Sequence, residues 1–295
     1  MFEYGEKMKI LSFGEILWDV YSDEKYIGGA PFNFAAHSAK HREEAYMLSA
    51  LGNDALGKEA LGALDRLCVS HKYVQVLDNK QTGKCLVTLD EKSVPAYNLL
   101  SDVAYDYISC ENVKEKFDVL YFGTLALRSE YNLSELRKLI NTSHFKEIFV
   151  DVNIRAPFYN SDTVRFAVEN ATILKISLEE LNTVAKMLEL TDYIDYKDFA
   201  KSLNTTYDNI RCVIITLGRD GSYAYDCKKG EEYYCGCSDV KVVSTVGAGD
   251  SFSAAFLHKY LCNDKIQNCL NHATKVAELV VSSAEAIPDY NSNEL

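Results

Sequence analysis

Short apolar runs alternate with amphipathic segments along most of this chain, and nothing else in it restricts the fold as strongly. KILSFGEIL (9–17), DVLYFG (118–123), EIFVDVN (147–153), ATILKIS (171–177) and RCVIITLG (211–218) read as buried strands. PFNFAAHSAKH (31–41), with Pro31 in its first turn, reads as a helix, as do SELRKLINT, TVRFAVEN and LEELNTVAKML. Strand, helix and strand in succession predict an α/β fold, a mostly parallel sheet covered on both faces. Two stretches depart from this. Residues 20–29 and 82–99 carry period-two alternation, turn residues and aromatics, which predict a small antiparallel patch set off from the main sheet as a lid. GSYAYDCKKGEEYYCGCSDVKVV, within 219–243, predicts successive hairpin strands. Proline is rare and there is no repeat or low-complexity tract, so residues 1–295 read as one domain with a lid at about 20–30 and 82–108.

In open α/β sheets, ligands collect beyond the carboxyl ends of the strands. Asp19, Gly123, Asp151, Asn153, Arg155, Gly218 and the loop at 247–249 all follow strand-like runs. That loop belongs to STVGAGDSFSAAFL (244–257), where Gly247 and Gly249 precede Asp250 and an apolar stripe at helical spacing. An acid in the first turn of a helix stabilises it through the dipole, and glycines before a helix can be only a turn. The same parts also make an anion-binding loop beside a carboxylate. The spacing fits both.

Several classes drop out. A net charge of −12 without any Lys/Arg block argues against nucleic acid. No run approaches the ~20 apolar residues that span a bilayer. Glu15 interrupts the apolar run near the start, so no secretory leader is read there, and the expected location is cytoplasmic. The nine cysteines are odd in number and lack C-x-x-C spacing; free thiols in a reducing compartment are expected, Cys235 and Cys237 included. There is no G-x-x-x-x-G-K-[ST], and Phe252 stands where a dinucleotide loop needs its third glycine. His37 and His41 are four apart, but a zinc site would need a third ligand, and a surface pair is expected.

Taken together, GGAPFNFAA (28–36), DVNIR (151–155), TLGRDGS (216–222) and STVGAGDSFSAAFL resemble the ribokinase-like (PfkB) sugar kinases, in order and from about residue 9 to 288. FGEILWDVY, DVAYDYI and YFGTLALR are most similar to the fructokinase branch. The resemblance implies a three-layer α/β/α Rossmann-like sheet with a small β-sheet lid, and transfer of the γ-phosphoryl group of Mg-ATP to a primary hydroxyl. By the same resemblance Asp250 is the catalytic base, and Gly247, Ala248 and Gly249 form an anion hole for the transferred group. An ordinary carboxylate suffices for such a base, because positioning and charge dominate phosphoryl transfer. Asp19, Gly28, Gly29 and Asn33 match the sugar positions, with Asn153 and Arg155 orienting the substrate or γ-phosphate. Thr216, Gly218, Gly221 and Asn271 match the nucleotide side. Tyr97 and Tyr105 are lid residues that would pack on the sugar, and the lid would pair two subunits into a homodimer.

Three positions depart from the family pattern. Ser177 replaces an Asn ahead of Glu180, which keeps the role of organising Mg2+ through water. Ser244 stands where the family has an Asp tied to a monovalent-cation site, and Glu285 where glycine is common; both weigh against potassium activation. The implied reaction is fructose to fructose 6-phosphate, with 2-keto-3-deoxygluconate as the alternative acceptor. A non-catalytic sugar-binding regulatory protein on the same fold is the reading from another class.

Overall fold

The computed structural model describes residues 7–89 and 95–292. The apolar run at 9–17 is not one strand. β1 (Lys9–Phe13) joins the main sheet and β2 (Leu17–Val20) joins a second sheet, with the chain breaking at Gly14 and Glu15 between them. β3 (Lys25–Gly28) folds back on β2, and α1 (Ala30–Lys40), β4 (Glu44–Gly52), α2 (Ala55–Arg66) and β5 (Ser70–Leu77) return the chain to the main sheet. β6 (Gly83–Leu89) and β7 (Pro95–Leu99) complete the small sheet. β8 (Val119–Phe122), α3 (Glu130–Thr142), β9 (Glu147–Asp151), α4 (Ser161–Asn170), β10 (Ile173–Ser177), α5 (Leu178–Leu188), α6 (Tyr196–Thr206) and β11 (Cys212–Thr216) follow in alternation. A hairpin, β12 (Ser222–Asp226) and β13 (Glu231–Cys235), precedes α7 (Ala248–Leu261) and α8 (Ile266–Val281).

The main sheet has the order β13-β12-β11-β10-β9-β8-β1-β4-β5, parallel from β11 to β5 and antiparallel only at the β12–β13 edge. Only one hairpin forms in the 219–243 stretch, since residues 236–243 pair with no strand. The small sheet runs β3-β2-β6-β7 and is mixed, not antiparallel. β2 leaves β1 almost directly and Gly83 of β6 sits beside Leu17, so both strands head out of the main sheet the same way. Val103, Ala104, Tyr105 and Ile108, expected in the lid, are buried in the main core instead.

Period-two alternation sorts the strands' side chains into two helical layers. Ile10, Tyr121, Phe149, Ile173 and Ile214 meet α1, α7 and α8 on one face. Leu11, Phe122, Val150, Leu174 and Ile215 meet α3 to α6 on the other. The result is a three-layer α/β/α sandwich. Asp151 and Lys175 share the parity of Phe149 and Ile173, so both point toward the α7 layer at the carboxyl edge of the sheet. The strand order reverses at β1, which received β4 on one side and β8 on the other; that is where ligand crevices form in such sheets.

Candidate active site

Asp250 sits in the first turn of α7, and Gly247 caps that helix in a left-handed conformation (φ +80°). A Cβ on Gly247 would stand 2.5 Å from the Ala286 carbonyl oxygen, so both backbone angle and space require glycine. Ala248 N–H donates to Thr245 O at 3.3 Å and Ser251 N–H to Gly247 O at 2.9 Å, while the first-turn amides between them have no intrahelical acceptor. Asp250 Oδ2 accepts from Asn33 Nδ2 at 2.8 Å, a bond that joins α7 to α1 across 217 residues of sequence. The other polar atom of that amide, Asn33 Oδ1, is buried without a hydrogen-bond partner among the described residues. Burial pushes the Asp250 carboxyl up to about 7, with Asp151 adding to the rise and the Asn33 bond, Lys175 and Arg155 opposing it. The chemistry asks only for an ordinary carboxylate, and burial makes this one a weaker acid than that.

A buried ion pair lies at the carboxyl edge of the sheet, on β9 and β10. Lys175 Nζ donates to Asp151 Oδ2 at 2.7 Å, and Ser253 Oγ of α7 donates to the same oxygen at 3.3 Å. Burial works against the Lys175 charge, but Asp151, with Glu180 and Asp250 beyond it, prevails and raises its pKa. Glu180 closes a capping box on α5: Oε2 accepts from Ser177 N at 2.9 Å and Ser177 Oγ at 2.7 Å, and Oε1 accepts from Ile154 N at 2.6 Å. Ser177 thus works as a helix cap, the role that its short hydroxyl suits. Asp151, Lys175, Ser177 and Glu180 line a cavity of about 420 Å³ together with Asn153, Arg155, Thr216 and Gly249.

Asp19 projects from β2, half-buried, and burial raises its pKa against the lowering effects of the Cys85 thiol and Arg155. Gly28 leaves room for it, since a Cβ there would stand 3.3 Å from Asp19 Oδ2. Gly29 packs on the Glu15 carbonyl and caps α1 without a side chain. Glu15 itself is 3% exposed, accepts from Ala30 N–H at 3.2 Å and is pushed up to about 7 by burial. Arg155 is exposed, and its charge lowers the pKa of Glu15, Asp19 and Asp250 slightly against the dominant effect of burial. Among the described residues Arg155 makes no ion pair, only a 3.4 Å bond to the Ile154 carbonyl. Tyr105 does not face outward from the small sheet. It is fully buried, its ring lies against Gly83 and under the Arg128 guanidinium, and its hydroxyl has no hydrogen-bond partner among the described residues. The side chain of Tyr97 lies outside the described residues.

Thr216, paired with Ser177, ends β11 at the cavity, and a short 3₁₀ turn, Gly218–Asp220, leads into β12. Gly221 (φ +110°) is locked against β13, with the Cys235 carbonyl 2.0 Å from where a Cβ would be. Gly218 (φ +59°) faces open space. Asn271 is exposed on α8 and accepts from Gln267 Nε2 at 2.9 Å. Gly218, Gly221 and Asn271 lie outside the residues that line the cavity, so the structure gathers only Thr216 of the four around it. No group of three or more His, Cys, Asp or Glu among the described residues is disposed to hold a metal. With Glu180 at the cavity and its lone pairs partly committed, the donor set suits a hydrated ion that arrives with phosphates, not a protein cage.

His37 and His41 are not a surface pair. Both are buried, and His37 Nδ1 and Nε2 meet the Tyr290 hydroxyl at 2.7 Å and Ala286 O at 3.0 Å. That places His37 between the helix carrying Asn33 and the segment packed on Gly247. All nine cysteines are free thiols. Glu15 and Lys175 were missed as site residues. Each sits inside an apolar run, and only the strand parity of Lys175 with Asp151 could have drawn notice to it.

A family model for pfkB family carbohydrate kinases matches residues 4–293. The chain belongs to that family. Its members are phosphotransferases that act on a sugar hydroxyl, and this chain is a sugar kinase of that kind. A 5-dehydro-2-deoxygluconokinase from Listeria monocytogenes is 24% identical over 279 residues, covering 90% of this chain and 84% of its own length. The fold is shared with a fructokinase from Vibrio cholerae in fructose-, ADP- and calcium-bound form (TM-score 0.81, 20% identity, 95% of this chain and 94% of that one). It is shared equally with 2-dehydro-3-deoxygluconokinase from Thermotoga maritima (TM-score 0.81, 21% identity, 97% and 98%). These relatives do not single out fructose.

Proposed function

We propose that this kinase transfers the γ-phosphoryl group of ATP to a primary hydroxyl of a keto sugar acid. The observation that carries the kinase chemistry is Asp250, buried at the α7 N-terminus behind a glycine that no other residue could replace, with Asn33 bonded to it and one Asn33 acceptor atom left open. A sugar hydroxyl donating to Asn33 Oδ1 and held by Asp19 would lie beside Asp250. The bond from its oxygen to the γ-phosphorus forms as the bond from that phosphorus to the β–γ bridging oxygen breaks. ADP leaves with the electron pair, and Asp250 takes the hydroxyl proton. The amides that follow Gly247 and the positive end of α7 offset the charge on the transferred group. Glu180 would hold hydrated magnesium at the cavity, and the ion supplies charge neutralisation on the phosphates. Thr216, Gly218, Gly221 and Asn271 would hold the nucleotide along the β11–β12 turn and α8.

Arg155 favours a sugar acid over fructose, because its guanidinium has no carboxylate partner in the described protein and suits bidentate contact. ADP release with Mg-ATP over 2-keto-3-deoxygluconate, 5-dehydro-2-deoxygluconate, fructose, ribose and no acceptor tests the reading. Turnover on a sugar acid is expected. In Arg155→Met, kcat/KM for the acid should fall about tenfold or more while any fructose turnover changes little, as expected for a charge-assisted contact. Higher turnover on fructose than on either acid overturns the acceptor, and no turnover with any sugar overturns the kinase. Pairing of two copies through the small sheet, whose edges are β3 and β7, belongs to the same proposal and is tested by sedimentation.

A further inference from the structure

Lys175 is in the wrong place for stability and in the right place for a phosphate. Its ammonium sits against the N-terminal turn of α7: a Cβ built on Gly249 would stand 3.3 Å from Nζ. A helix N-terminus carries partial positive charge, so a cation there is unfavourable unless an anion joins it. Burying an ion pair of this sort also gives no reliable stability in return for its desolvation. Among the described residues Nζ has one partner, Asp151 Oδ2, although an ammonium carries three donors. The side chain is 5% exposed, and what exposure it has opens into the cavity, beside Thr216, Asn153 and Glu180.

We infer that Lys175 is a catalytic residue, whose ammonium contacts the γ-phosphoryl oxygens at the Gly249 turn while Asp151 holds it in place. This rests on the kinase reading above. As the bond to the bridging oxygen breaks and the bond to the sugar oxygen forms, charge on the three equatorial oxygens spreads toward Nζ and the first-turn amides together. Asp151 aims the ammonium and compensates it when no nucleotide is bound. Glycine at 249 leaves that ammonium room, since a Cβ there would stand 3.3 Å from Nζ.

A purely structural ion pair makes a different prediction, and the two separate in Lys175→Met and in Lys175→Met/Asp151→Asn. The single variant leaves Asp151 as an unpaired buried acid and loses melting temperature under either account. The double variant removes both charges and regains most of it. The inference requires kcat of the double variant to stay about a hundredfold or more below wild type, the scale for losing one charge-stabilising donor. It also requires that a non-hydrolysable ATP analogue lose affinity by calorimetry while ADP binding changes by less than about threefold. Lys175→Arg should keep the analogue's preference over ADP. Recovery of kcat with the fold in the double variant, or equal loss of ADP and analogue, overturns it. If wild type phosphorylates no sugar, the kinase reading falls first, and the analogue-against-ADP comparison still decides whether Lys175 meets the γ-phosphate.

Discussion

Replacing Asn33 by leucine removes one donor, Nδ2, and one open acceptor, Oδ1, at nearly constant volume. The two losses have different signatures. With its carboxyl at about 7, Asp250 is close to half ionised at neutral pH, and the Asn33 bond is one of the forces holding it that low. A hydrogen bond to a charged group contributes about 1.5–3 kcal/mol. Even about 1.4 kcal/mol is tenfold in the protonation equilibrium, which takes the ionised fraction at pH 7 from about one half to about one eleventh. The kinase reaction at pH 7 should then lose about fivefold in kcat from ionisation alone. That loss should vanish by about pH 9, where Asp250 is ionised in both proteins. Losing Oδ1 instead removes a contact to the sugar and raises KM at every pH. The assay is kcat and kcat/KM against pH for wild type and Asn33→Leu, with Asp250→Asn as the inactive reference. If kcat of Asn33→Leu falls by the same factor at pH 6, 7 and 9, Asn33 does not tune Asp250 and the reasoning fails. An unchanged KM would remove Asn33 from sugar binding.

Two glycines of the nucleotide side should part company. Gly221→Ala forces a Cβ onto the Cys235 carbonyl in a disfavoured backbone region and should lose about 1–3 kcal/mol or more, read as a fall in melting temperature. Gly218→Ala meets no atom within 4 Å, so its cost is the left-handed backbone alone, about 1–2 kcal/mol, and its larger effect should be on ADP affinity; the opposite ranking refutes the division. The acid response has an unusual form. Burial holds His37 and His272 down to about 4 and His41 down to about 2, so the stability of their neutral forms is complete above 6.5 and is lost as pH falls below it. Burial raises Glu15 and Asp250 to about 7, so their contribution is present below their ordinary values of 4.5 and 3.8 and is lost as pH rises through 7. The two sets oppose each other between pH 7 and 5. Glu15→Gln removes part of the offset, and its melting temperature should fall more steeply over that interval than wild type; parallel curves would refute the assignment.

Much of this protein is written in local pattern. The strands 118–123, 147–153, 171–177 and 211–218 and the helices between them follow from runs of β-branched and aromatic residues against 3.6-residue stripes, because each element must bury one face or two. The glycine loop with Asp250 was legible for the same reason: positive φ and a helix N-terminus demand particular residues wherever they occur. The run at 9–17 was misread as one strand because apolar continuity is the same whether a chain stays in one sheet or crosses to another. Glu15 and Lys175 look like interruptions of strands, and Tyr105 looks like a surface aromatic, until the packing places them. What the sequence alone determined was the α/β class, the order of the elements and the loop chemistry, since these depend on neighbours within a few residues. Only the tertiary structure brought Asn33 to Asp250, Lys175 to Asp151 and the Gly249 turn, and Glu15 to the start of α1. Those meetings set charge and burial together, and burial depends on everything packed around a group, which no short stretch of sequence contains.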